Sequence, residues 1–294
     1  MKFNSIVFPA PERSYSSESM LGDLVYIPNS RQGYIPCVFF PFQLGSSKIL
    51  LYFHGNAEDI GLASDLLEHV RTTMRVHLLG IEYPSYGIYT REAPTEANII
   101  ADAASVFRFL VEELGVKEEN ILLFGRSMGS GPAVYLGSEF NPGCLILMSA
   151  YTSIKGAVAS LVGRMASWLV EERFRNVDRI KKVRCPIFIV HGEADRLIPP
   201  SHAQELYDAC QAKSVLNLPA EMDHNDFDFY KDLTDPLFEF FLQHKIDVTI
   251  DPELEHLNHF RFPNELYHPP EKIKELEQTQ PKSSFWIKAF KKFQ

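Results

Sequence analysis

The stretches Ile49-Leu50-Leu51-Tyr52-Phe53 and Ile187-Phe188-Ile189-Val190 are apolar at every position, not at every second one. A strand with two apolar faces must be covered on both, the condition of a parallel strand inside an α/β sheet. Strand candidates recur at residues 35–42, 48–53, 76–83, 120–124, 144–149, 186–191 and 214–218. Helical periodicity fills the spaces between them at 60–73, 94–114, 128–139, 154–172 and 202–210, and follows again at 236–245. Such alternation builds βαβ units, so the expected class is α/β, with a mostly parallel central sheet carrying helices on both faces. One domain is expected over residues 1–245. Residues 246–294 are rich in His, Pro and Glu and break the rhythm, which marks them as a C-terminal extension.

Composition narrows the function classes. With 45% hydrophobic residues among 294, the chain can bury a large core, and wholly disordered and collagen-like classes are excluded. No apolar run approaches the roughly 20 residues needed to span a bilayer, and the first residues lack the apolar stretch of a signal peptide. A cytoplasmic location is therefore expected. The net charge of −9 argues against general nucleic-acid binding. Cys37, Cys144, Cys185 and Cys210 lie far apart with no metal-ligand spacing, so they read as reduced thiols; neither a metal nor a cofactor is expected.

Gly125-Arg126-Ser127-Met128-Gly129 follows the strand candidate at 120–124 and precedes a helix candidate. This is the pattern of a nucleophile elbow, in which a strand turns sharply into a helix and leaves no room for side chains at the flanking Gly125 and Gly129. A serine needs a base to take its proton and an acid to orient the base. Asp195 lies just beyond the strand at 186–191, and His224 lies in the loop after the strand at 214–218. The chain order Ser127, Asp195, His224 suits a hydrolase triad. Glu193, Asp223 and Asp226 are rival acids by proximity, and His191 is a rival base. Two backbone N–H groups should face the developing oxyanion: that of Met128, and that of Asn56, with Gly55 permitting the turn that points the latter inward. His54 reads as a satisfied loop histidine and Arg126 as a structural salt-bridge residue. Tyr86, in the turn after the strand at 76–83, is placed at the pocket rim. Trp168 joins it if residues 154–180 form a small helical cap; a core-facing helix is the alternative.

Four motifs in register carry a resemblance: His54-Gly55-Asn56-Ala57-Glu58-Asp59, Gly125-Arg126-Ser127-Met128-Gly129-Ser130, His191-Gly192-Glu193-Ala194-Asp195 and His224-Asn225-Asp226. Over about residues 20–245 the chain resembles the α/β-hydrolase-domain-containing proteins of the 13 and 17 types, also labelled serine aminopeptidase S33-like. The resemblance implies the α/β-hydrolase fold and a serine hydrolase. For the 17-type members it implies a palmitoyl-protein thioesterase, which removes palmitate from cysteines. It maps Ser127 to the nucleophile, Asp195 to the acid, His224 to the base, and Asn56 with Met128 to the oxyanion donors. The sequence departs from those relatives at two points. Its first 36 residues hold no cysteine, where the depalmitoylases have a lipidated, cysteine-rich N-terminus, and Asp223 stands before the histidine, where relatives tend to have a small residue. A carboxylesterase acting on small esters or lysolipids and a non-catalytic binding module are the alternative readings.

The segment from Ser283 to Gln294, drawn as a helix, gathers Phe285, Trp286, Ala289, Phe290 and Phe293 on one face and Lys288, Lys291 and Lys292 on the other. A basic amphipathic segment of this kind suits peripheral contact with an anionic membrane, packing on the hydrolase body, or docking on a partner protein. The partner expected at the site itself is an acylated protein or a small acyl ester.

Overall fold

In the computed structural model, which describes residues 8–20, 22–89, 92–162, 170–248 and 260–269, eight strands form one sheet. They are β1 (Leu24–Pro28), β2 (Tyr34–Phe40), β3 (Ile49–Phe53), β4 (His77–Ile81), β5 (Ile121–Arg126), β6 (Cys144–Met148), β7 (Ile187–Val190) and β8 (Ser214–Asn217). Their order across the sheet is β1-β2-β4-β3-β5-β6-β7-β8. From β4 to β8 every pairing is parallel; β2 pairs antiparallel with β4 and with β1. Strands β3 to β7 are buried at every position, as sequences apolar apart from His77 and Arg126 require.

Helices cover both faces. They are α1 (Ser64–Met74), α2 (Glu96–Arg108), α3 (Ser130–Glu139), α4 (Ile154–Val162), α5 (Asn176–Arg179), α6 (Ser201–Ala209) and α7 (Asp235–His244). Alternate strand residues feed two cores. Ile49, Leu51 and Phe53 point to a core shared with Ile99 and Ala103 of α2, Val134 of α3 and Leu206 of α6. Leu50 and Tyr52 point the other way, toward Leu67 and Val70 of α1 and Phe240 and Phe241 of α7. Thr95 starts α2 as an N-cap, its side chain accepting from the Asn98 amide, and a π-turn at Phe109–Glu113 continues that helix.

The described structure differs from the sequence expectation at β1 and in the helix expected over 154–172. Strand β1 was not anticipated, because nothing local shows that Leu24-Val25-Tyr26-Ile27 pairs with β2. At 170–175 the chain is not helical, so the helix expected over 154–172 is shorter in its described part; residues 163–169 and with them Trp168 lie outside the described residues. Within the stretch read as a cap, Phe174 and Ile180 are buried in the main core, and Asn176 is buried with its amide donating to Ser130 Oγ and to the Tyr151 carbonyl, both at 3.0 Å. Of the extension, residues 260–269 pack on the β1–β2 side. Phe262 is buried and lies edge-on to Phe39 with ring centroids 5.0 Å apart, and a 3-10 turn at Asn264–Tyr267 sits against β1. The tip from Ser283 to Gln294 lies outside the described residues. Among the described residues, no helix is long and apolar enough to cross a membrane, and no cluster of three or more His, Cys, Asp or Glu side chains is placed to hold a metal ion.

A half-buried network centred on buried Asp102 fastens the β1–β2 hairpin to α2. Asp102 accepts from Arg31 Nη2 at 2.5 Å and from the Tyr89 hydroxyl at 3.0 Å, while Arg31 Nε donates to Glu92 at 2.6 Å. Burial outweighs these partners and pushes the Asp102 carboxyl up to about 6, against about 3.9 in an unfolded chain. The folded state thus holds this proton more tightly. The resulting stability is full below pH ~3.9 and is lost as pH rises through about 6. Urea unfolding between pH 4 and pH 7 should show the wild type losing roughly 2 kcal/mol relative to Asp102→Asn; parallel pH profiles would contradict this.

Candidate active site

The turn from β5 into α3 is a single 3-10 turn, Ser127–Gly129. Ser127 sits at φ 49°, in the left-handed region that a residue with a Cβ seldom enters. The flanking glycines make this turn possible. A Cβ on Gly129 would lie 1.9 Å from the Phe53 carbonyl oxygen at the end of β3, and one on Gly125 would lie 2.4 Å from the Gly129 carbonyl oxygen. The elbow is therefore pressed against the end of β3. Ser130 Oγ donates to the Ser127 carbonyl at 2.7 Å, and Tyr151 donates to the Met128 carbonyl at 3.1 Å, fixing the turn from behind.

Strands β7 and β8 deliver the other two groups. His224 Nε2 lies 3.1 Å from Ser127 Oγ, and His224 Nδ1 lies 2.8 Å from Asp195 Oδ2. All three residues are buried. The second Asp195 oxygen accepts from the amides of Leu197 at 2.9 Å and Ile198 at 2.8 Å, an Asx-type turn that leaves Oδ2 for the imidazole. Burial favours the neutral acid, but the hydrogen bonds from His191, His224 and the Ile198 amide outweigh it and hold the carboxyl below the ordinary carboxylate range. Asp195 is thus an anion that keeps the Nδ1–H tautomer of His224, leaving Nε2 to accept from the serine.

The rivals fall elsewhere. Glu193 and Asp226 are exposed. Asp223 accepts from the backbone amide of His224 at 2.7 Å, so the carboxylate before the histidine braces its loop rather than its ring. His191 is fully buried; its Nε2 is 2.6 Å from the Ile198 carbonyl, to which it must donate, and 3.3 Å from Asp195 Oδ2. Its ring thus lies against Asp195 and is not placed to reach Ser127 as a base.

The loop after β3 runs beside Ser127. A Cβ on Gly55 would sit 3.8 Å from Ser127 Cβ. Asn56 follows, its side-chain oxygen accepting from the Tyr86 hydroxyl at 2.7 Å. Tyr86 is fully buried. Its hydroxyl braces the loop at Asn56 from within the protein. Arg126 forms the salt bridge read for it, and its partner is Glu58. Its Nη1 donates to Glu58 at 2.9 Å, and its Nη2 donates to the His224 carbonyl at 3.1 Å and to Asn225 at 2.8 Å. Glu58 also accepts from the Gly55 amide at 2.8 Å. One guanidinium thus ties the Gly55–Asn56 loop to the histidine loop. The short spacing of Glu58 from Gly55 in the sequence was the available signal for this partner, and it was missed, as was Glu82, which meets the ring of His54.

Arg126→Ala removes the guanidinium and leaves the mostly buried Glu58 carboxylate without its cation, with the Gly55 amide as its remaining donor. Thermal and urea unfolding should show a loss of about 3 kcal/mol; wild-type stability would mean that the tie carries no load.

Residues 92–224 match the family model described as Serine hydrolase (FSH1), a span that includes Ser127, Asp195 and His224. Alpha/beta hydrolase domain-containing protein 17B of Homo sapiens is 29% identical over 220 residues, 74% of this chain and 75% of that protein. Alpha/beta hydrolase domain-containing protein 17C of Xenopus laevis is 31% identical over 211 residues, 71% of this chain and 66% of that protein. Among solved structures, the Pyrococcus furiosus esterase Pf2001 superimposes with a TM-score of 0.65 at 17% identity, covering 80% of this chain and 97% of that one; at that identity the likeness concerns the fold.

Proposed function

This chain belongs to the serine hydrolases of the α/β-hydrolase fold, and on that premise we infer that it cleaves an acyl ester or thioester through an acyl-enzyme on Ser127, with palmitoylated protein cysteines as its substrate class. The observation that carries the reaction is the unbroken hydrogen-bonded series from Ser127 Oγ through His224 to Asp195. The substrate class is supported by the resemblance of four motifs to the 17-type proteins.

Each group has one task. Ser127 Oγ attacks the acyl carbonyl carbon as its proton passes to His224 Nε2, and Asp195 stabilises the imidazolium that forms. The oxygen of the tetrahedral intermediate takes the negative charge and is held by the backbone N–H groups of Met128 and Asn56. His224 then gives its proton to the departing thiol or alcohol, and the C–S or C–O bond breaks to leave an acyl-serine. Water attacks that ester with His224 again as base, releasing the carboxylic acid and restoring Ser127.

Hydrolysis of a palmitoyl-thioester peptide and of short-chain nitrophenyl esters tests both levels. Ser127→Ala should lose about 10⁴–10⁶ in kcat with unchanged stability, and Asp195→Asn about 10⁴. Near-normal turnover in Asp195→Asn, with loss in Glu193→Gln or Asp226→Asn, would overturn the acid assignment. Preference for the short esters would replace the thioesterase by a carboxylesterase; a folded chain that turns over neither substrate would be a binding module.

The basic segment from Ser283 to Gln294 would bring Ser127 to acylated proteins at an anionic membrane. Three lysines near such a surface contribute only about 3 kcal/mol. Co-sedimentation with anionic liposomes should therefore be weak, should fade at physiological salt, and should vanish in a chain ending at Gln280. Equal pelleting of both chains would remove the membrane role, and a drop in melting temperature on truncation would assign the segment to packing.

A further inference from the structure

The loop that passes Ser127 has a buried charge behind it. His54 and Glu82 are both fully buried, with His54 Nε2 2.9 Å from Glu82 Oε1. His54 Nδ1 is 2.9 Å from the carbonyl oxygen of Gly55. A carbonyl only accepts, so Nδ1 carries a proton. Glu82 also accepts from the Tyr83 amide at 3.2 Å, the Tyr15 hydroxyl at 2.7 Å and the Ile60 amide at 3.3 Å. A carboxyl facing this many donors is satisfied as the anion, which leaves the second ring proton on Nε2. The ring is then an imidazolium donating from both nitrogens.

The carbonyl that His54 reaches belongs to the peptide group whose N–H is that of Asn56. A charge-assisted donor on the oxygen of an amide draws electron density toward that oxygen and makes the N–H at the other end a stronger donor. It also fixes the rotation of the peptide plane. We propose that His54 is a positioning residue that acts as a buried imidazolium, orienting and polarising the Gly55–Asn56 peptide so that its N–H stabilises the oxyanion formed at Ser127. The inference rests on the serine-hydrolase reading and adds a charged layer behind its oxyanion loop, in which Tyr15 of the N-terminal segment takes part through Glu82.

The surroundings agree with a charged ring. Burial by itself would lower the pKa of His54, but the charge and hydrogen bond of Glu82, the charge of Glu58 and the Gly55 carbonyl outweigh it and raise the pKa from the ordinary histidine value. The other titratable groups around it are Tyr83, with its ring centroid 3.9 Å away, and Tyr86 at 5.5 Å; Arg126 and Glu58 flank Gly55, and Tyr15 and Asp59 lie beyond Glu82. Tyr83 also donates to the His54 carbonyl at 2.9 Å, so the loop is held at His54, at Gly55 and, through Tyr86, at Asn56.

Two measurements on the full chain test the proposal. Nitrogen-15 spectra of the histidine side chains at pH 7 should show His54 protonated on both nitrogens; a neutral His54 overturns the charged role whatever the activity. The rate at which a fluorophosphonate labels Ser127 reads the oxyanion loop directly, because its phosphoryl oxygen takes the place of the oxyanion. His54→Gln and Glu82→Gln should each label about tenfold more slowly, a fraction of the loss seen when an oxyanion donor is deleted outright. In ester hydrolysis the same variants should lower kcat and leave KM unchanged. Wild-type labelling should also fall at alkaline pH as His54 loses its proton, a limb absent in His54→Gln. If His54→Gln fails to fold, Glu82→Gln and the wild-type spectra decide. Variants that label as fast as the wild type overturn this inference while the serine-hydrolase reading stands; a wild type that takes no label at all overturns both.

Discussion

The left-handed backbone of Ser127 is the constraint from which the rest of the site is built. Holding a non-glycine residue there costs on the order of 1–3 kcal/mol, and the surrounding packing supplies it. Gly129 lies so close to the end of β3 that a single Cβ would run into the Phe53 carbonyl. The contact that permits the turn therefore also sets the loop after β3 beside Ser127. Sheet order does the remainder. Strands β3, β5, β6, β7 and β8 lie side by side and parallel, so their C-terminal ends and following loops share one edge of the sheet.

Two buried ion pairs then stiffen what the sheet has assembled. Arg126–Glu58 joins the Gly55–Asn56 loop to the histidine loop, and His54–Glu82 sits behind the same loop. Neither pair is evidence of high stability in itself, since desolvation offsets most of the attraction between buried charges. What they provide is geometry, because breaking one strands its partner at about 3–5 kcal/mol. Asp195 follows the same logic on the other side. Its two oxygens are divided, one bound to two backbone amides and the other shared by His224 and His191. A group so fully occupied cannot swing away from the imidazole. The site is thus a set of loops with few alternative positions, as stabilisation of a short-lived anion by fixed dipoles requires.

How far the sequence could be read follows from the range of each interaction. The elbow was legible because its cause is local: Gly125, Ser127 and Gly129 answer to one turn. Asp195 and His224 were legible through order, since each follows a strand whose apolar run is unmistakable, and the fold brings both to Ser127. Strand β1 was not, because its burial depends on β2 on one edge and on residues 260–269 arriving from the far end of the chain. Glu82 and Tyr15 were hidden for the same reason, being 67 residues apart and meaningful only through His54. The neighbourhood of Tyr86 was legible but its burial was not, since a turn after a strand does not reveal which of its tyrosines faces inward.

The central claim is that Ser127 carries the acyl group between the two halves of the reaction. Mixing the enzyme with a palmitoyl thioester, quenching in acid on the millisecond scale and weighing the intact protein addresses it directly. A transient gain of one palmitoyl group, located by digestion to the peptide bearing Ser127 and absent in Ser127→Ala, is the result this account predicts. Turnover of the thioester with no acyl-protein formed, or an acyl group on another residue that persists in Ser127→Ala, would contradict it.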